Sequence, residues 1–114
     1  MNIKMIGGNK METIEQFEQI SKELVEIFGV AKGSMFGHKG FKIRGKFFAF
    51  LNDDNFVVKL NQEEYEKALS ILGTHPFSPM GKPMKEWIEL PNSISNEWFN
   101  YSIKAKNYVE SLTK

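Results

Sequence analysis

At 114 residues, with 15 basic and 14 acidic side chains, the chain has the length of one domain and a bulk charge too balanced to point to nucleic acid or a membrane surface. It contains no cysteine, which excludes disulfides, a thiol nucleophile and cysteine-based zinc sites and fits a reducing compartment. No apolar run reaches the roughly 18 residues of a membrane span, and the start MNIKMIGGNK lacks the apolar segment of a secretory signal, so a cytoplasmic location and no membrane partner are expected.

Residues 1–10 carry Gly7-Gly8-Asn9 and little periodicity, and are expected to form a flexible arm before a domain spanning residues 11–114. Thr13 with Gln16 makes a capping box for a first helix. Ile14, Phe17, Ile20, Leu24, Ile27 and Phe28 form its apolar face, and Gly29 stops it. An irregular strand, Val30 to Phe36, follows, and Gly37-His38-Lys39-Gly40 turns the chain. The stretch Gly33–Leu60 is read as a three-stranded antiparallel meander. Phe41 to Arg44 alternate at period two, Arg44-Gly45-Lys46 is a hairpin turn, and the nearly all-apolar Phe47–Leu51 is expected to be a central strand covered on both faces. Asn52-Asp53-Asp54-Asn55 is a second turn. Beyond it Phe56, Val58 and Leu60 face one way, and Val57 and Lys59 the other.

Asn61 with Glu64 is a second capping box, opening a helix whose stripe is Tyr65, Ala68, Leu69 and Leu72. Pro76, Pro79, Gly81 and Pro83 make Thr74–Lys85 a structured loop or broken hairpin, because proline cannot donate to a sheet ladder. Glu86–Leu90 is a strand stopped by Pro91. Asn92, Ser93 or Ser95 is expected to cap a last helix that buries Trp98, Tyr101, Ala105, Tyr108 and Leu112. The predicted class is α+β, a two-layer α-β(3)-α-β(2)-α arrangement with an antiparallel sheet of about five strands and, from ten phenylalanines, an aromatic-rich core.

No catalytic set emerges. His38 lies in a turn and His75 beside a proline, and neither has an acidic partner at ligand spacing. Asp53 and Asp54 suit turn geometry better than acid–base chemistry across a cleft. No glycine-rich loop joins a strand to a helix, and no nucleophile elbow is present. The chain is therefore read as non-enzymatic, with no cofactor or metal. The strongest binding candidate is the basic cluster Lys39, Lys42, Arg44, Lys46 and Lys59, interleaved with Phe41, Phe47, Phe48 and Phe50, which could track phosphates and stack bases. The competing reading is a solvated sheet edge guarded by lysines. Lys59, between Val58 and Leu60, is either an anion partner or a lysine whose stem covers apolar surface. Met80, Met84 and Trp87 suit an adaptable protein interface. Met35, Phe36 and Gly37 read as packing plus a turn.

Met35-Phe36-Gly37, Gly40-Phe41, Gly45-Lys46-Phe47-Phe48-Ala49, Asp53-Asp54 and Val58-Lys59-Leu60 together resemble the N-terminal domain of the TfoX/Sxy proteins. Pro76-Phe77, Gly81-Lys82-Pro83-Met84-Lys85-Glu86-Trp87 and the Trp98 helix resemble stand-alone members of that group. The resemblance spans roughly Thr13 to Leu112. It implies a fold similar to the secretion chaperones, a homodimer, and a regulatory role through protein contacts linked to natural competence. A weaker resemblance, over Gly45–Leu60 and Trp87, is to the MmcQ/YjbR proteins and implies nucleic-acid binding through the Lys39–Lys46 hairpin.

Overall fold

A computed structural model describes residues 10–113. The elements run α1 (Lys10–Val25), β1 (Val30–Met35), β2 (His38–Ile43), β3 (Lys46–Asn52), β4 (Asn55–Lys59), α2 (Gln62–Leu69), β5 (His75–Pro76), β6 (Trp87–Leu90), a 3-10 segment (Asn92–Glu97) and α3 (Trp98–Leu112). The strands form one antiparallel sheet in the order β1-β2-β3-β4-β6-β5. The predicted α+β class and two-layer build hold. The meander has four strands rather than three and the sheet six rather than about five, because the irregular Val30–Met35 pairs along its whole length with β2.

The three meander turns are tight because their corner residues adopt positive φ, with Gly37 and Gly45 supplying the second corner of the first two. Phe36-Gly37 (φ 55° and 80°) and Arg44-Gly45 (φ 53° and 80°) each close a two-residue hairpin, the connection whose twist matches the flanking strands. The first of these turns is therefore Phe36-Gly37, not the expected Gly37–Gly40; His38 to Gly40 already belong to β2. The third turn places Asp53 at φ 54°, a conformation that Asp adopts more readily than most side chains.

A bulge decides how the sheet divides its phenylalanines. Pairing steps from Phe41↔Ala49 to Lys42↔Phe47, leaving Phe48 as the extra residue of β3. Phe48 and Ala49 then both join the helix-side core, while Phe47 and Phe50 belong to the opposite, outer face. The expectation that β3 is central and covered on both faces holds, but the unbroken apolar run has a second cause in this bulge.

The helix face carries the larger core. Phe17, Ile20 and Leu24 of α1, and Trp98, Ala105 and Val109 of α3, pack on Phe41, Ile43, Phe48, Phe56, Val58, Ile88 and Leu90. Trp98 is fully buried, lies 5.2 Å from Phe56 ring to ring in a stacked arrangement, and donates its indole N–H to Pro91 O at 3.2 Å. The outer face has a smaller cluster of Phe50, Val57, Phe77 and Trp87, with Met35, Phe47 and Met84 packed against it.

Several helix details differ from expectation. The arm expected over residues 1–10 lies outside the described residues except for Lys10, where α1 already begins; Thr13 is inside the helix and buried, so it does not cap it. Good helix formers at Lys10, Met11 and Glu12 carry the helix back past it. Helix α1 ends at Val25, which leaves Phe28 in the following turn and almost wholly exposed instead of on the apolar face. Asn61 caps α2 as expected, accepting from the Glu64 N–H at 2.8 Å. That helix stops at Leu69, so Leu72 is exposed rather than part of the stripe. None of Asn92, Ser93 or Ser95 caps α3: the 3-10 segment intervenes and Glu97 precedes the helix without a side-chain cap bond. Leu112, expected to be buried, is 54% exposed.

Gly40 shows how tightly the outer face is built. A Cβ there would stand 2.8 Å from Ala49 O and 2.9 Å from Phe50 Cβ, closer than packed atoms tolerate. Gly40→Ala is expected to destabilise the chain by about 1–3 kcal/mol, the usual range for overpacking, read as a lower urea midpoint with an unchanged slope. A midpoint equal to that of the parent would show that β2 and β3 can separate at this point without cost.

Candidate binding surface

The helices cover one face of the sheet and leave the outer face with only loop cover. Two hollows lie on it. One, of about 380 Å³, is bordered by Met35, Phe47, Lys46, Lys59, Trp87 and the end of α3. The other, of about 440 Å³, lies at the opposite ends of the strands and is bordered by Phe36, His38, Asn52, Glu89 and the run His75–Pro79.

The basic residues singled out from the sequence do not form one patch. Lys39 pairs with Glu18 of α1 at 3.9 Å, on the helix side of the sheet. Arg44, at the second hairpin turn, reaches α3, 3.6 Å from Glu110 and donating to Thr113 O at 3.0 Å. Lys59 lies 3.9 Å from Glu86, with about a quarter of its side chain exposed. Lys42 lies over the Phe47 ring at 5.6 Å from its centroid. Lys42 and Lys46 have no carboxylate partner among the described residues. Lys46 and Lys59 meet at the first hollow.

The interface candidates are also divided. Met80 is 87% exposed, whereas Met84 packs half-buried on the outer cluster and Trp87 is buried between Phe50 and the first hollow. Met35 packs on the same cluster. Phe36 is 63% exposed and meets Phe50 edge-on at 6.4 Å. Gly37 supplies the positive φ of the first turn.

Sequence spacing gave neither histidine an acidic partner, yet the fold brings both to one hollow. His38 stacks on Phe50 at 6.0 Å, and His75 pairs across the ladder with Glu89. Glu89 is buried, and its Oε2 accepts from Asn52 Nδ2 at 3.1 Å and Asn55 Nδ2 at 3.0 Å. No three His, Asp or Glu side chains among the described residues converge as metal ligands would. Asp53 and Asp54 sit in the turn between the two asparagines, and Asp54 Oδ1 is buried without a partner among the described residues. The clue available in the sequence was the single carboxylate of Trp87-Ile88-Glu89-Leu90, in a strand otherwise built to be buried.

The loop before β6 is fastened by a polar knot the sequence reading missed. Glu86 has φ 74°, strained for a residue with a side chain. Its carbonyl accepts from Leu60 N at 2.9 Å, and its carboxylate accepts the Tyr108 hydroxyl and faces Lys59. The hydrogen bond to Glu86, then burial, then the charge of Glu86 push the Tyr108 phenol from 10.0 up to about 12. At the end of α3, the Lys106 hydrogen bond and the Lys106 and Arg44 charges outweigh burial and hold Glu110 below the usual carboxylate range.

The Tyr108 bond has a consequence for stability at high pH. The folded chain holds this proton more tightly than the unfolded chain, so its stabilisation is complete below pH 10 and is lost as pH rises toward 12. Tyr108→Phe should cost about 1 kcal/mol at neutral pH, below the usual range for a bond to a charged group because the site is partly exposed. It should also flatten, without abolishing, the loss of stability between pH 10 and 12, since burial raises Tyr65 and Tyr101 as well. Urea unfolding of both chains across that window measures this; parallel curves would rule out the Glu86 contact as the cause.

Comparison with curated proteins and with solved structures gives no match. A family model described as the TfoX N-terminal domain matches residues 22–106, from the middle of α1 through the sheet and into α3. This agrees with the resemblance carried by the Met35-Phe36-Gly37 turn, the β3 run and the loop ending at Trp87, and the chain belongs to the TfoX N-terminal domain family.

Proposed function

We propose that the chain is a non-enzymatic regulatory or interaction domain of the TfoX N-terminal type, acting in the cytoplasm through protein contacts in the control of competence or transcription. Family membership supports a regulatory, competence-associated domain. The observation that carries the protein-contact reading is the outer face. Its apolar cluster is roofed by one loop instead of helices; Phe36, which packs on Phe50, is exposed beside it, and the loop itself carries the exposed Met80. Exposed Met is a side chain that adapts to a partner's shape. Among the described residues, strand β1 is an edge whose backbone is paired on one side only, a template for joining a second strand. A homodimer through that edge is part of the reading.

A photo-crosslinking residue at position 80, introduced in the native cell, is expected to give a discrete protein adduct, and one at Lys22 on α1 is expected to give none. Equal labelling from both positions would sink the outer face as the contact surface. Light scattering separates self-association from a foreign partner: a dimer has twice the 13.2 kDa of the chain, and a 13.2 kDa mass at high concentration rejects the dimer.

The competing reading, a nucleic-acid module using the basic hairpin, is favoured by one observation, the Lys42 ammonium stacked over Phe47 beside Lys46. With Lys39, Arg44 and Lys59 engaged in ion pairs, two cations of the basic hairpin cluster remain for phosphates, and each contact contributes a salt slope of about 0.9 for duplex DNA. Anisotropy titration is therefore expected to give weak binding with a slope of about 2 or less. Micromolar binding that falls steeply with salt and disappears in the Lys42, Arg44, Lys46 triple alanine variant would replace the protein-contact reading.

A further inference from the structure

The hollow at the Phe36 end of the sheet has features that packing alone does not explain. Among the described residues of its lining, Glu89 is the only Asp, Glu, Lys or Arg, and the imidazoles of His38 and His75 also border it. That carboxylate is about nine-tenths buried, and among the described residues it has no Lys or Arg partner. Its hydrogen bonds come from two neutral asparagine amides, both on Oε2. Amides solvate a carboxylate without cancelling its charge, and a buried charge without a counter-charge is costly. The acidic turn Asp53-Asp54 lies directly between those asparagines and deepens the negative potential at this end.

Phe36 is the second, independent observation. It is a bulky side chain at φ 55°, where a residue with a Cβ is strained. Arg44 and Glu86 adopt similar φ values and are tied by hydrogen bonds to α3. Phe36 is poorly repaid by burial: the residue is 63% exposed and borders the hollow with Phe77. Aromatic side chains beside one unneutralised carboxylate are the elements of an ammonium site, since ring faces attract a cation that the carboxylate holds.

We propose that this hollow, bordered by Phe36, Phe77 and Glu89, binds a small organic ammonium ion. Its volume of about 440 Å³ suits a small molecule. The proposal goes beyond the protein-contact reading; Phe36 belongs to both surfaces, but the ammonium site does not depend on that reading because it rests on the Glu89 carboxylate and the lining of this hollow.

The test is calorimetry and amide NMR with choline, set against 3,3-dimethylbutan-1-ol, a neutral molecule of the same shape. Choline is expected to bind saturably, moving the amides of His38, Phe77 and Glu89, and the neutral alcohol to bind about tenfold or more weakly. Glu89→Gln, which keeps an oxygen for the two asparagines, should abolish the preference for choline. Phe36→Asn is the control against misfolding. Asn tolerates the turn conformation, so this variant is expected to melt at or above the parent temperature while losing about fivefold or more in choline affinity. Any of three results overturns the proposal: no saturable shifts at these amides up to about 10 mM choline, equal binding of the neutral alcohol, or unchanged choline affinity in Phe36→Asn.

Discussion

One extra residue in β3 governs how the sheet is shared between its two faces. If Phe48 were paired in regular alternation, either Phe47 or Ala49 would have to change sides, because side chains in a strand alternate strictly. The bulge instead lets Phe48 and Ala49 serve the helix-side core while Phe47 and Phe50 serve the outer cluster. The central ring of that outer cluster is Phe50. Phe77 and Trp87 pack on it at 5.2 Å and 5.4 Å, His38 and Phe36 approach it from the first hairpin, and Gly40 gives it room. Phe36, His38 and Phe77, which line one hollow, and Trp87, which lines the other, thus all pack on a ring whose direction the bulge sets.

The charged residues act mainly as fasteners. Arg44 ties the β2–β3 turn to the end of α3, Lys104 of α3 meets Glu64 of α2 at 3.4 Å, and Lys59 with Tyr108 holds the Glu86 corner. Partly exposed pairs of this kind each contribute little to stability. Their effect is to set where α3 lies against the strand ends, and that in turn shapes the Lys46–Lys59 hollow. A cluster that reads as a phosphate track in one dimension becomes, in three, a set of separate ties with two lysines left over.

Much of the fold was legible because local chemistry and tertiary packing agree. The Asn61 cap, the Arg44-Gly45 turn and the inward set Phe56, Val58 and Leu60 are each specified within a few residues. Errors arose where a distant contact decides. Phe28 and Leu72 continue a helical period by sequence, yet the helices stop before them. The 3-10 segment after Pro91 has no strong sequence signal, because its role is to bring Trp98 onto Phe56. The pairing of His38, His75 and Glu89 around one hollow was invisible, since it joins residues from separate strands. Trp87 suggested an exposed anchor by its type, but its position on β6 buries it under the loop.

The strand order carries a consequence for how the molecule assembles. Strands β1 to β4 are joined by two-residue turns and pair with their immediate neighbours, so their contacts close short loops and can form early. Strand β6 reaches β4 only after α2, β5 and the proline-rich loop have been laid down, and β5 then attaches to β6 at the outer edge. The Phe36 hollow spans the two parts: Phe36, His38 and Asn52 come from the early ribbon, His75, Phe77 and Glu89 from the late segment. A molecule held there closes the seam between them, so occupancy would slow the fraying of the last-formed strands by mass action and make their hydrogen-exchange protection depend on ligand concentration.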